Sequence, residues 1–75
     1  MEHPTPRPGI YRHYKGSLYE VHGVAWHSET GEPLVVYRAL YGDYGLWTRP
    51  LDMFMEHVDV QGEPVPRFAL EKAFA

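Results

Sequence analysis

Leu18-Tyr19-Glu20-Val21-His22-Gly23-Val24-Ala25-Trp26-His27-Ser28-Glu29-Thr30-Gly31-Glu32-Pro33-Leu34-Val35-Val36-Tyr37-Arg38-Ala39-Leu40 is the stretch that decides the fold. Its apolar and aromatic residues fall into two short runs, Leu18 to His27 and Leu34 to Leu40, with no sustained helical period. Ser28-Glu29-Thr30-Gly31 between them fits a type I turn whose glycine forms a bulge. The reading is therefore an antiparallel hairpin. If it closes with Ser28 opposite Glu32, Trp26 faces Leu34, Val24 faces Val36, His22 faces Arg38, and Tyr37 lies across Gly23. Ser28 is expected to accept the turn's hydrogen bonds.

The same alternation of strand and turn extends both ways. Upstream, Ile10 to His13 reads as a strand, and a Lys15-Gly16 turn that sets His13 opposite Leu18 brings Ile10 to Val21, Arg12 to Tyr19 and Tyr11 to Glu20. Downstream, Gly42-Asp43-Tyr44-Gly45 precedes a strand from Leu46 to Arg49, and Gln61-Gly62 joins a last hairpin of Glu56 to Val60 with Val65 to Phe68. Pro50 to Met55 is the exception, because proline starts a helical turn well. The tail from Ala69 to Ala75 is helix-compatible but too short to be stable unless it docks. The prolines at 4, 6 and 8 make residues 1–8 an extended arm, leaving one domain over 9–68 and a short tail over 69–75.

In this register one face carries Ile10, Tyr19, Val21, Gly23, Ala25, Val35, Tyr37 and Ala39, and is assigned to the core, with Gly23 leaving room for the tyrosine ring. The predicted class is all-β. About five short antiparallel strands with one helical turn before the last hairpin suggest a small SH3-like barrel, whose closure removes exposed edges. An OB-type barrel is the second choice, since it needs longer strands.

Composition narrows the function. At 75 residues with six Tyr, two Trp and three Phe, the chain must draw much of its core from aromatics. It has no cysteine, so disulfides and thiolate metal sites are excluded together, in agreement with a cytoplasmic location. A net charge of −3 without a Lys/Arg cluster argues against duplex nucleic acid, and no apolar run is long enough to span a membrane.

The sharpest constellation lies on the second face, where Tyr11, His13, Glu20, His22 and Arg38 share the middle. Glu20 and His22 stand two apart on one strand, and a four-residue loop would set Arg38 opposite Arg49. Two facing arginines call for a negative group between them, supplied by Glu20 or by a ligand's carboxylate or phosphate. The plain alternative is a solvated face with a Glu–Arg pair. An enzyme would use His22 as general base, oriented by Glu20, with Arg38 and Arg49 stabilising an anionic transition state. No serine elbow, phosphate loop, His-x-His or HExxH motif is present, so no cofactor and no metal is expected. Tyr41, Tyr44 and Trp47 could wall a groove for an extended peptide, or stack bases of single-stranded nucleic acid beside Arg38, Arg49 and Arg67.

Gly9-Ile10-Tyr11-Arg12-His13-Tyr14-Lys15-Gly16, Tyr19-Glu20-Val21, His27-Ser28-Glu29-Thr30, Val35-Val36-Tyr37, Ala39-Leu40-Tyr41-Gly42, Gly45-Leu46-Trp47, Arg49-Pro50-Leu51 and Val65-Pro66-Arg67-Phe68 resemble the bacterial domain-of-unknown-function family 1653. The resemblance spans Gly9 to Phe68. It implies a small SH3-type barrel in a bacterial cytoplasmic protein, and it implies no activity, cofactor or catalytic residue.

The reading taken forward is a non-enzymatic binding module presenting Tyr11, Glu20, His22, Arg38, Tyr44, Trp47 and Arg49 to a protein, an extended peptide or a small anionic ligand. Its structural alternative is an accessory domain whose contacts lie in a homo-oligomer.

Overall fold

The computed structural model describes residues 5–74, so the first four residues of the proline-rich arm and Ala75 lie outside the described residues. The chain runs β1 (Gly9–His13), β2 (Leu18–Trp26), β3 (Pro33–Ala39), β4 (Leu46–Pro50), α1 (Leu51–Phe54), β5 (His57–Val60), β6 (Glu63–Pro66) and β7 (Phe68–Ala73). It is mainly β. Five strands form one antiparallel sheet in the order β4-β3-β2-β1-β7, and β5 and β6 form a separate hairpin. The sheet is not closed, because β4 and β7 are its two ends, and the expected barrel closure is thus not made among the described residues.

One turn of helix begins after Pro50, as its fixed φ favours, and the last hairpin reverses at Gln61 and Gly62, both with positive φ as a two-residue turn requires. The tail departs from its helical expectation. Ala69 to Ala73 have the composition of a helix, but a piece this short gains little alone, and β1 offers an unpaired edge on which Phe68–Ala73 gains a ladder. The arm is tied down beside it: Tyr11 Oη donates to the Arg7 carbonyl at 2.8 Å, and the Phe74 N–H donates to the Pro8 carbonyl at 3.1 Å.

Register corrects the faces. The first turn is closed by the His13 N–H donating to the Ser17 carbonyl at 2.8 Å, which leaves three residues in the loop and sets Tyr11 opposite Tyr19, not Glu20. Tyr11 therefore points into the core and is 6% exposed. At the second turn the His27 N–H donates to the Glu32 carbonyl at 2.8 Å, so Trp26 pairs with Pro33 and Val24 with Val35. The ladder then shifts by one more residue between Val21 and Gly23, a β-bulge at His22 and Gly23 where Gly23 takes a φ of +149°. Two one-residue offsets restore the original parity below the bulge. Tyr19, Val21, Val35, Tyr37 and Ala39 share the inner face as expected, whereas Gly23 and Ala25 leave it and Val24 takes their place. Ile10 faces Glu20 on the outer side.

The core sits between this inner face and α1. Tyr11, Val21, Val35, Tyr37, Leu51, Phe54 and Phe68 form one buried cluster, with Tyr19 and Val24 packed against it. Phe54 and Phe68 stack at 4.3 Å with their planes 5° apart, and Tyr11 meets Phe54 edge-on at 5.6 Å.

Candidate ligand-binding site

The expected four-residue polar patch is divided by the third hairpin. β3 and β4 pair Arg38 with Leu46 and Val35 with Arg49, because the loop closes with the Ala39 N–H donating to the Gly45 carbonyl at 3.0 Å. This register lies three residues from the expected one. An odd offset sends Arg49 to the inner face and leaves Arg38 on the outer face. On that outer face Arg38 does stand across from Glu20, and His22 Nε2 lies 2.9 Å from Glu20 Oε1. Arg38 spends its guanidinium on the turn, donating from Nη1 to the Tyr44 carbonyl at 2.6 Å. The structure thus brings Glu20, His22 and Arg38 onto one face and separates both Arg49 and the buried Tyr11 from them. The general-base constellation that required all four polar groups in one concavity is not assembled. Tyr44 and Trp47 are 55% and 60% exposed, Tyr44 in the β3–β4 turn and Trp47 on the inner side opposite Tyr37.

A different constellation forms where Arg49 goes. Its guanidinium carbon lies 5.5 Å from the centroid of the Phe68 ring, in cation–π range. Around the same ring stand His13, at 5.0 Å, and Tyr19, at 5.5 Å, both edge-on. Tyr19 and Tyr41 join hydroxyls at 2.8 Å, so one phenolic proton is used between them and the other is left to donate. β1, β2, β4 and β7 each supply one of the groups, and Phe68 is the hub that orders them.

Electrostatics give this cluster its sign. Burial, then the positive charges of Arg49, Arg67 and Lys15, hold the His13 imidazole below its ordinary pKa. Its Nδ1 accepts the Lys15 N–H at 3.2 Å, which assigns the proton of the neutral ring to Nε2. Burial, then the hydrogen bond shared with Tyr41, push the Tyr19 phenol up to about 12. The ion pairs among the described residues leave no carboxylate on Arg49. Arg67 has one, Glu56 Oε1 at 3.6 Å from Nη2, but its buried Nε has no hydrogen-bond partner. The arrangement supplies hydrogen-bond donors and positive charge. Among the described residues no three His or carboxylate side chains gather as metal ligands would.

His13 also borders a cavity of about 340 Å³ between the β1–β2 turn and the β5–β6 hairpin. Tyr14, Val60, Val65, Pro66 and Ala69 make its wall mostly apolar, and the Arg12–Glu71 ion pair adds a polar side. That volume suits a small molecule.

Sequence reasoning named Arg49 but missed the company it keeps. On the sequence His13 belongs to the polar patch of the second face, Tyr41 to the groove walls and Arg67 to the base-stacking arginines. No spacing links Arg49 to Phe68 or His13, since their meeting depends on β7 crossing back to β1.

Residues 9–70 match a family model described as a protein of unknown function, DUF1653. A crystal structure of a protein from Bordetella bronchiseptica, described as belonging to DUF1653, is similar, with a TM-score of 0.83 and 44% identity over 93% of this chain and 92% of that one. No curated protein matches the chain. No helix among the described residues is long and apolar enough to cross a membrane.

Proposed function

The chain belongs to the DUF1653 family, and on that premise we propose that it is a cytoplasmic, non-enzymatic binding module for a small anionic ligand, a carboxylate or phosphate attached to an apolar body. One observation carries the reading: Arg49, His13 and Tyr19 converge on Phe68 with no carboxylate of the described residues on Arg49. An arginine held against a ring and half-withdrawn from water gains more from an anion than an exposed one does. The neighbouring cavity, sharing His13, would take the apolar part.

The test is an NMR titration with inorganic phosphate and with octanoate. Binding should raise the His13 pKa, because the anion counters Arg49 and Arg67. Loss of a charge-assisted hydrogen bond costs about 1.5–3 kcal/mol, so Arg49→Ala should weaken binding roughly 10- to 100-fold. Arg38→Ala, on the opposite face, should change little. Equal affinity in Arg49→Ala, or no response of His13 at saturating probe, would remove the proposal.

A further inference from the structure

The two ends of the five-stranded sheet are not alike. β7 carries Glu71 and Lys72, and its ladder with β1 is interrupted by a register shift next to Tyr11. Charges and bulges of this kind discourage a further strand from adding to an edge. β4, Leu-Trp-Thr-Arg-Pro, has a single charge, Arg49, drawn inward over Phe68, and a proline only at its end, and it has no bulge: its register with β3 is unbroken from Leu46 to Pro50, and Leu46 and Trp47 are 55% and 60% exposed.

Hydrogen-bond parity shows which main-chain groups β4 has to offer. The Ala39 N–H to Gly45 carbonyl bond marks that pair as hydrogen-bonded, and in an antiparallel ladder such pairs alternate with non-bonded ones. Trp47 and Arg49 therefore spend their main-chain groups on β3, while those of Leu46, Thr48 and Pro50 aim away from the sheet, the Pro50 carbonyl also accepting the first bond of α1 as its N-cap and keeping a second lone pair. Pro50 fits this assignment, because its missing N–H falls on the outward side, where a proline in an edge strand belongs.

We propose that β4 is the pairing edge of a symmetric dimer, with the β4 strands of two copies running antiparallel about Thr48. Thr48 then faces Thr48 of the partner subunit, and each exchanges N–H and carbonyl with the other. Leu46 donates its outward N–H to the carbonyl of Pro50 of the partner subunit. Trp47 faces Arg49 of the partner subunit on the inner side, a cation–aromatic pair, and no like charges oppose each other. A register centred on Arg49 would set two guanidiniums face to face. The pairing joins two sheets into one continuous sheet and brings a second aromatic wall to the Arg49 cluster.

The test is the mass of the pure chain in solution by sedimentation equilibrium over a range of concentrations, with thermal melts to confirm folding. The wild type should reach twice the chain mass. Thr48→Lys places two lysines opposite each other at an exposed position, and should weaken association at least about tenfold with its melt at low concentration unchanged. Leu46→Pro removes an outward N–H at the first residue of the strand and should do the same without breaking the β3 ladder. A wild type that stays monomeric at every concentration, as expected if the edge serves an extended segment of another protein, overturns the proposal. So does an unchanged dimer in both variants.

Discussion

Replacing Gly9 by alanine should damage the seam between β1 and β7. A Cβ at Gly9 would stand 2.3 Å from the Lys72 carbonyl oxygen, with Ala73 Cα at 3.0 Å. Both are main-chain atoms, so no rotamer change relieves the contact. Moving the oxygen from 2.3 Å to a tolerable 3.0 Å shifts the backbone by about 0.7 Å, which breaks the Gly9–Ala73 and Ile10–Lys72 pairings and the Phe74 bond to Pro8. At about 1 kcal/mol for each of some three hydrogen bonds, the loss is roughly 2–3 kcal/mol. A domain this small loses about 4–8 °C per kcal/mol, so the melting temperature should fall by roughly 10–20 °C. Thermal melts followed by circular dichroism give the number, and faster amide exchange at Lys72 and Phe74 would localise the damage. Gly45→Ala is the control, because its nearest atom is Trp47 Nε1 at 3.0 Å on a side chain 60% exposed and able to turn aside. If Gly9→Ala melts within about 3 °C of wild type, or no lower than Gly45→Ala, the packing of β7 against Gly9 has been misread.

Two further outcomes follow from the inner cluster and the second hairpin. The folded Tyr19 phenol has its pKa raised from 10.0 to about 12, so its contribution to stability is fully present below pH 10 and is lost as pH rises toward 12. Tyr41→Phe deletes the second cause and leaves burial, and should lower the Tyr19 pKa part of the way back in an absorbance titration; no change would show that the hydroxyl pair is not formed. At the second turn the Glu29 and Thr30 N–H groups donate to His27 Nδ1 at 3.1 and 3.3 Å. His27→Ala should therefore cost about 0.5–1.5 kcal/mol in urea unfolding and Ser28→Ala almost nothing, the reverse ranking favouring the serine.

The residues that were legible are those whose periodicity survives an even shift of register. Val21, Tyr37 and Ala39 read inward from alternation alone and lie where the two single-residue offsets of the second hairpin cancel, and Val35 keeps the parity of its own unbroken strand while its partner changes to Val24. Tyr11 was misplaced for the opposite reason, since a three-residue turn in place of a four-residue one moves the whole strand to its other face. Gly23 carried the missing information. A glycine inside a strand can make room for a ring or mark a bulge, and its φ of +149° settles for the bulge. At the second turn, too, the hydrogen bonds expected at Ser28 go to His27 Nδ1 instead.

The fate of the two arginines shows why the candidate site was harder to read than the fold. Arg38 and Arg49 are equivalent in the sequence, each inside a strand beside aromatic residues, and only the closing bond of their loop decides which face each occupies. The outer face gives Arg38 local partners, Glu20 across the ladder and the Tyr44 carbonyl, which satisfy it in place. The inner face gives Arg49 a phenylalanine, an imidazole whose protonation it opposes and a phenol, none of which neutralises it. A guanidinium partly withdrawn from water and given no counter-charge by the described residues is costly to keep, and an anion arriving from solvent relieves that cost and the neighbouring repulsion together. The functional weight therefore belongs with the arginine whose partners come from three other strands.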